Sequence, residues 1–191
     1  MQKYLMAAVQ MDSGASKAEN LRAAASYFEE AAVRGAKVIA FPETMEYSGT
    51  ECAENAEYIP SGETCCMLSE LAQKYGMWTL GSIHEKENGC PRPYNTTVVM
   101  GPDGKLVARY RKIHLSDMHF PGANLESSKM SAGNSLVTVR TEEVGNFGLS
   151  ICYDIRFGEM YRLMALKAAD ILFIPASFYM NTGINHWEVL L

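Results

Sequence analysis

Three residues with the chemistry for covalent catalysis stand directly after apolar, strand-like segments. Glu43 follows Val-Ile-Ala-Phe-Pro, Lys112 follows Leu-Val-Ala-Arg-Tyr-Arg, and Cys152 follows Phe-Gly-Leu-Ser-Ile. A cysteine thiolate is a strong nucleophile, and a nearby carboxylate can take the thiol proton and return it to a leaving amine. A lysine ammonium can stabilise the oxyanion of a tetrahedral intermediate. These residue types together indicate acyl transfer at a carbon–nitrogen bond.

The chemistry requires particular protonation states. A free thiol, with a pKa near about 8.5, is mostly protonated at neutral pH, so Cys152 needs a base. We expect partial burial to raise the pKa of Glu43, and the Lys112 ammonium to favour the thiolate by attraction. The backbone N–H of Tyr153, which follows the nucleophile, is the expected second oxyanion donor.

The segments that must position these residues alternate between strand and helix, which predicts an α/β fold with mixed strand pairing. Strands are predicted at 4–10, 37–41, 77–83, 95–100, 105–110, 136–140, 147–151 and 171–174. The tight-turn sequence Gly-Pro-Asp-Gly at 101–104 predicts an antiparallel hairpin. Because ligand sites of open α/β sheets lie beyond the carboxyl ends of strands, the three residues converge if their strands are neighbours.

Helices are predicted from Ser16 to the cap at Gly35, over 63–75 before Gly76, over 158–169, and from 185 onward. Ser16 with Glu19 three residues later predicts a capping box. The last predicted helix reaches Leu191 without a cap, so we expect the chain to be a C-terminally truncated piece of the domain.

Composition and charge narrow the class of protein. The chain of 191 residues fits one domain, 1–191, and its 48% hydrophobic and 20% charged residues are typical of globular proteins. A net charge of -5 argues against binding to nucleic acid or to an anionic membrane. The chain lacks an apolar run of the ~20 residues that a membrane helix needs, and its start lacks a secretory signal. We therefore expect a cytoplasmic protein.

The cysteines are predicted to be free thiols, because their number is odd and no signal peptide precedes them. They are Cys52, Cys65, Cys66, Cys90 and Cys152. None is spaced like a zinc ligand pair, so no metal site is predicted. His84 and His186 are interpreted as structural or surface groups.

Three sequence motifs resemble the catalytic motifs of the nitrilase superfamily of carbon–nitrogen hydrolases. They are Phe41-Pro42-Glu43, Tyr-Arg-Lys-Ile-His-Leu at 110–115, and Ser-Ile-Cys-Tyr-Asp-Ile-Arg-Phe at 150–157, in the family's order. Two further segments, Arg-Pro-Tyr-Asn-Thr at 92–96 and His-Trp-Glu-Val-Leu-Leu at 186–191, are also similar to it. The resemblance extends over residues 4–191.

The resemblance implies a four-layer α-β-β-α sandwich, incomplete here at the C-terminus, and a homodimer or larger assembly. It implies that Glu43 is the general base, Lys112 stabilises the tetrahedral species, and Cys152 forms a thioester that water hydrolyses. Glu126 matches a second glutamate that positions the substrate. The resemblance implies neither a metal nor an organic cofactor.

The residues after the nucleophile indicate the branch. Cys152-Tyr153-Asp154 resembles the amidase and carbamoylase branches, whereas members that attack nitriles usually have Cys-Trp-Glu. The leading hypothesis is an amidase that converts a small linear carboxylic amide and water to an acid and ammonia. Its predicted partner is that small-molecule substrate.

Alternatives remain open at this point. The chain is also compatible with N-carbamoyl amino acid hydrolysis, or with an inactive fragment that acts only in association. Taken singly, Cys152 fits a buried core cysteine, and Lys112 fits an exposed charge on an edge strand. His114 is an alternative base in a Cys–His pair; it is disfavoured because the sequence shows no partner to orient it.

Overall fold

The computed structural model describes residues 3–117 and 125–191, which form two β-sheets flanked by helices. The larger sheet has the strand order β1-β2-β3-β4-β5. Its strands are β1 (Leu5–Ala8), β2 (Ala36–Ala40), β3 (Trp78–Glu85), β4 (Tyr94–Met100) and β5 (Leu106–Arg111). Strands β1, β2 and β3 pair in parallel, whereas β3, β4 and β5 pair antiparallel, as the predicted hairpin requires.

The smaller sheet has the order β6-β7-β8 and leads into Cys152. Its strands are β6 (Thr138–Val139), β7 (Phe147–Leu149) and β8 (Ile171–Phe173). Strand β7 lies between an antiparallel neighbour, β6, and a parallel neighbour, β8. All three strands are shorter than their apolar sequences predict.

The helices of the described residues connect and cover these sheets. They are α1 (Lys17–Val33), α2 (Cys52–Asn55), α3 (Glu63–Tyr75), α4 (Gly158–Leu166) and α5 (Met180–Leu190), with 3-10 turns at Glu126–Ser128 and Cys152–Arg156. Gly35 and Gly76 have φ angles of 79° and 62°, the left-handed conformation expected after a helix. None of these helices is long and apolar enough to cross a membrane.

The start of α1 differs from the prediction. Ser16 is its N-cap, but the serine side chain makes no cap hydrogen bond, so the predicted capping box with Glu19 is wrong. The buried Asn20 orders this region instead. Its side chain accepts from the N–H of Gly14 at 3.0 Å and donates to the carbonyls of Gly14 and Glu46. Asn20 therefore ties the start of the helix to the loop after β2.

Two apolar cores separate the layers. Successive residues of a strand face opposite sides of a sheet, and Ile39 faces the core under α1 and α3 while Val38 faces the core between the sheets. Helix α4 covers the smaller sheet, where a Cβ at Gly148 would lie 2.7 Å from Met164 Sδ. The predicted α-β-β-α arrangement is thus confirmed.

Phe28 can be used to test how the core under α1 and α3 supports the end of β2. It is fully buried, and its ring centroid lies 5.9 Å from that of Phe41. Phe41 precedes Glu43 in the segment that follows β2. We expect Phe28→Ala to lower the free energy of unfolding by about 3–5 kcal/mol, because a cavity would remain. Denaturant unfolding measures this. Val33→Ala on the same helix, at an 89% exposed position, is the control; equal effects of both variants would contradict the packing described.

Candidate active site

The structure brings Glu43, Lys112 and Cys152 together between the two sheets. Glu43 lies beyond the carboxyl end of β2, Lys112 follows β5, and Cys152 begins the turn after β7. Lys112 Nζ is 3.0 Å from Glu43 Oε1, and the Cys152 thiol is hydrogen-bonded to the Glu43 carboxylate. The Glu43 carboxylate therefore contacts both the thiol and the ammonium.

Both oxygens of the Glu43 carboxylate are held in place. Asn95 Nδ2 donates to Oε1 at 2.8 Å, and the Ser177 N–H donates to Oε2 at 2.8 Å. Ser82 Oγ in turn donates to Asn95 Oδ1 at 2.8 Å, which fixes the orientation of that amide. The carboxylate is buried with one cation and three neutral donors, the Cys152 thiol among them, so its orientation is set before any substrate arrives.

The Lys112 ammonium lies between two carboxylates. Its side chain is 2% exposed, and besides Glu43 it contacts both oxygens of Glu126, at 3.1 and 2.9 Å. The Ser116 N–H donates to Glu126 Oε2 at 2.7 Å. The structure thus places Glu126, the fourth candidate residue, against the same lysine.

Charge pairing decides the pKa of Glu43. Burial by itself would raise this pKa, but the Lys112 charge and the hydrogen bonds from Cys152, Lys112 and Ser177 hold it below the ordinary value. The expectation that burial raises the pKa of Glu43 is therefore wrong. Desolvation is the largest single effect on this pKa, but the Lys112 charge and the hydrogen bonds together outweigh it.

For the Cys152 thiol, the effects that raise the pKa outweigh those that lower it. Burial and the negative charge of Glu43 raise its pKa well above the ordinary value, and the attraction of Lys112 does not compensate. For Lys112, burial would lower the pKa, but Glu43 and Glu126 raise it far above the ordinary value. The resting site therefore holds a neutral thiol, a carboxylate and an ammonium, rather than the thiolate that attraction to Lys112 alone would favour.

The turn that begins at Cys152 is strained and firmly anchored. Cys152 has a φ of 48°, which non-glycine residues adopt rarely, and its N–H donates to the Pro175 carbonyl at 2.9 Å. Asp154 Oδ2 accepts from the Ile151 N–H at 2.8 Å and from the Tyr110 hydroxyl at 2.6 Å. Asp154 thereby joins the nucleophile turn to strand β5 of the other sheet.

His114 is oriented by a partner that the sequence did not reveal. Its N–H and its Nδ1 lie 3.0 and 2.8 Å from Asp154 Oδ1, and its ring stacks on Phe157 at 3.5 Å. The objection that His114 has no orienting residue is therefore wrong. Its contacts nevertheless support the turn at Cys152, and the carboxylate hydrogen-bonded to Cys152 is Glu43.

The sequence interpretation did not identify two groups that hydrogen-bond to Glu43, the Asn95 amide and the Ser177 N–H, as parts of the site. Asn95 lies in the segment 92–96 that resembles the family, which was the available signal for it. Ser177 contributes a backbone N–H, a group that every residue except proline carries, so no side-chain type identifies it.

The fold and site define a carbon–nitrogen hydrolase. The family model described as carbon-nitrogen hydrolase matches residues 5–191, and the chain belongs to this family. It is accordingly an enzyme that hydrolyses carbon–nitrogen bonds.

Particular relatives are similar over the length of the chain. Omega-amidase NIT2 of Homo sapiens is 40% identical over 195 residues, which cover 100% of this chain and 69% of the relative. Deaminated glutathione amidase of Synechocystis sp. is 38% identical over 198 residues, covering 100% of this chain and 72% of the relative.

Solved structures of the nitrilase superfamily share the fold. Saccharomyces cerevisiae Nit3, from branch 10 of the superfamily, has a TM-score of 0.85 and 31% identity, covering 97% of this chain and 68% of Nit3. The C. elegans NitFhit protein has a TM-score of 0.87 and 32% identity, covering 98% of this chain and 47% of NitFhit.

The lowered pKa of Glu43 predicts a specific dependence of stability on pH. The pKa is below 4.5 in the folded protein, so its contribution to stability is present above 4.5 and is lost as the pH falls through the folded-state pKa. The difference in unfolding free energy between the natural protein and Glu43→Gln should therefore shrink on acidification. Urea unfolding across a pH series measures it.

Glu30→Gln is the matched control, because Glu30 forms an exposed ion pair with Arg34. Exposed pairs contribute little, so its difference from the natural protein should stay small at every pH. A difference for Glu43→Gln that does not change with pH would contradict the charge pairing with Lys112.

Proposed function

We propose that this enzyme hydrolyses a small linear carboxylic amide to an acid and ammonia, by way of a thioester on Cys152. The observation that carries the proposal is the hydrogen bond from the Cys152 thiol to Glu43, a carboxylate that is itself paired with the buried Lys112. This contact supplies a nucleophile with its base. The cation beside them can receive the charge that develops on the substrate oxygen.

The first step is attack by Cys152 Sγ on the amide carbonyl carbon. Because the thiol is neutral at rest, its proton moves to Glu43 as the sulfur–carbon bond forms. Electrons of the carbonyl π bond move to oxygen, and the Lys112 ammonium and the Tyr153 N–H stabilise the resulting oxyanion. The lowered pKa of Glu43 keeps the proton on sulfur until bonding to carbon makes the sulfur more acidic.

Collapse of the tetrahedral species breaks the carbon–nitrogen bond. The proton held by Glu43 passes to the leaving nitrogen, which departs as ammonia and leaves a thioester. Glu43 then takes a proton from water as the water oxygen attacks the thioester carbon. The second tetrahedral species expels the Cys152 sulfur, which regains its proton from Glu43, and the acid is released.

Glu126 is proposed to position the substrate and the lysine together. Its two oxygens contact Lys112 Nζ, and the Ser116 N–H fixes one of them. With 19% of its side chain exposed, Glu126 is the more accessible of the two carboxylates around the lysine, compared with 7% for Glu43. It is therefore the one able to reach a substrate N–H without leaving Lys112.

The names of the relatives support the amide class. Both similar curated proteins are amidases, omega-amidase NIT2 and deaminated glutathione amidase. We propose substrates of the same kind, in which a short acid carries a terminal amide.

Ammonia release by the purified chain tests the proposal. We expect release from 2-oxo-acid monoamides that is abolished in Cys152→Ala, because the alanine has no nucleophile. N-carbamoyl amino acids belong in the same panel, since carbon dioxide release from them would identify a carbamoylase instead. Unchanged circular dichroism and unfolding would show that the variant folds. Ammonia release that survives in folded Cys152→Ala would refute the mechanism.

A second prediction concerns the base. Glu43→Gln should lower kcat by about 10²–10⁴, the usual contribution of general acid–base catalysis. Steady-state kinetics measure kcat and KM separately, and KM should change less because Glu43 is placed to move protons. A variant that loses affinity at full kcat would assign Glu43 to substrate binding.

A further inference from the structure

The loop that carries Glu43, residues 42–47, contains a strained residue. Thr44 has a φ of 48°, in the left-handed region that non-glycine residues adopt rarely. A β-branched side chain makes this conformation less favourable still. Such a residue keeps its conformation only where the surrounding structure holds it. The direction of Glu43, one residue earlier, therefore depends on the contacts that anchor the rest of the loop.

Strand β3 holds the middle of this loop through Ser82. The Thr44 N–H donates to Ser82 Oγ at 3.3 Å, and the Met45 N–H donates to the Ser82 carbonyl at 2.9 Å. The first of these bonds is long, and the same hydroxyl already donates to Asn95 Oδ1. The two bonds fix the loop as far as Met45, and the contacts of Glu46 decide how firmly its end is held.

Glu46 attaches the end of the loop to the same strand. Its Oε1 accepts from the backbone N–H of His84 at 2.7 Å and lies 2.6 Å from His84 Nδ1. Both side chains are buried, with Glu46 at 0% and His84 at 2% exposure. Hydrogen bonds to a charged group are stronger than those between neutral groups, and they are directional. Glu46 is therefore a firm attachment for the end of the loop.

This attachment lies beside the amide that orients Glu43. His84 on β3 is directly opposite Asn95 on β4, and the side chains of such a pair lie on the same face of the sheet. Asn95 Nδ2 is the donor to Glu43 Oε1. Glu46 thus binds β3 at the residue opposite that amide, so the loop and the amide that hold Glu43 are joined through one pair of residues.

A carboxylate at position 46 is costly to keep. Within residues 3–117 and 125–191, Glu46 Oε2 has no hydrogen-bond partner, although the side chain is fully buried. Burying a carboxylate opposes folding unless its bonds compensate the lost hydration, and an apolar side chain of the same size avoids this cost. The presence of the carboxylate is therefore better explained by the position that it imposes on the loop than by a gain in stability.

We propose that Glu46 is a positioning residue that, through His84, holds the strained loop so that Glu43 stays in contact with Lys112 and Cys152. This role rests on the proposed function, in which Glu43 is the base. Without the attachment, Thr44 relaxes from its left-handed conformation and Glu43 turns away from the lysine. A misplacement of about 1 Å at a reacting group can cost about 10²-fold in rate.

Glu46→Met and Glu46→Gln separate the hydrogen bonds from the size of the side chain. Both replacements resemble glutamate in length, but only the glutamine oxygen is a strong acceptor for the donors of His84. We expect Glu46→Met to lower kcat for ammonia release by about 10- to 100-fold with little change in KM, because the base is misplaced. Glu46→Gln should recover most of that loss. Equal kcat values for the two variants would overturn the proposal.

A measurement without substrate separates this role from the proposed function. Burial would raise the pKa of Glu43, but Lys112 and the hydrogen bonds hold it below the ordinary value. If Glu43 turns away from Lys112, its pKa must rise. Carboxyl-carbon NMR of glutamate-labelled protein follows this titration, and Glu43→Gln identifies the signal. The pKa of Glu43 should be higher in Glu46→Met and close to the natural value in Glu46→Gln.

The two readouts fail separately. An unchanged pKa of Glu43 in Glu46→Met refutes the positioning role, whatever the enzyme hydrolyses. A raised pKa in a protein that releases no ammonia from any amide supports the positioning role and counts against the proposed function.

A further variant distinguishes lost position from lost stability. Met100 is buried at the end of β4 remote from Asn95, so Met100→Ala leaves a cavity in the same sheet away from the site. It should lower stability in urea but leave kcat and the pKa of Glu43 unchanged. If Met100→Ala changes both as much as Glu46→Met does, general destabilisation accounts for the effect and the proposal fails.

His84→Phe tests the same attachment from the other side, and it serves if Glu46→Met does not fold. The phenylalanine keeps the backbone N–H and an aromatic ring near Tyr47, whose ring centroid lies 6.3 Å from that of His84, but it removes the ring nitrogen that contacts Glu46. We expect a fall in kcat and a rise in the pKa of Glu43, both smaller than in Glu46→Met. Natural values of both quantities in folded His84→Phe would contradict the proposal.

Discussion

The site depends on the ion pairs made by the buried ammonium of Lys112. It compensates two carboxylates, Glu43 and Glu126, that come from different parts of the chain. Breaking a buried pair by removing one partner typically costs about 3–5 kcal/mol, because the other charge is left uncompensated. Here one cation serves two such partners. The backbone N–H of Lys112 also donates to the Asn95 carbonyl at 2.8 Å, which ties the lysine to the residue whose amide orients Glu43. Fold stability and the readiness of the base therefore depend on the same side chain.

The site exists only where the two sheets face each other. Glu43 and Lys112 belong to the larger sheet, whereas Cys152 follows the smaller one, so the spacing of the sheets sets the contact between thiol and carboxylate. Several polar connections cross this gap, including the one from His114 to Asp154. The hydroxyl of Tyr110 on β5 donates to Asp154 in the nucleophile turn, and the Ser177 N–H beyond β8 donates to Glu43. Such buried hydrogen bonds are directional, unlike apolar packing, and they fix the relative position of the sheets at the place where chemistry occurs.

Much of the framework could be predicted from local sequence. The bounds of α3, 63–75, follow from helical periodicity and from Gly76, and the hairpin of β4 and β5 follows from its turn sequence. Glu43, Lys112 and Cys152 could be proposed because each follows an apolar strand, whereas Glu126 was proposed from the family resemblance. What could not be predicted depends on distances between remote segments. The pKa of Glu43 depends on a lysine 69 positions away, and the role of Ser177 rests on a backbone N–H. His84 is a buried structural group, one of the two roles expected for it, but its pairing with Glu46 emerges only when β3 and the loop after β2 are in place.

The neutral Cys152 thiol has a consequence for covalent inhibitors. Reagents that rely on a pre-formed thiolate, such as simple alkylating agents, meet a protonated sulfur whose pKa is raised by burial and by Glu43. A compound with a polarised carbonyl or similar group does not need a pre-formed thiolate. Its oxygen can occupy the place beside Lys112 while Glu43 removes the proton of the Cys152 thiol. The selectivity of an inhibitor for this cysteine thus depends more on the shape and charge of the electrophile than on the intrinsic reactivity of the electrophile. The electrophile best suited to this site is one that resembles the tetrahedral intermediate of the reaction. The most reactive electrophiles react with other thiols instead.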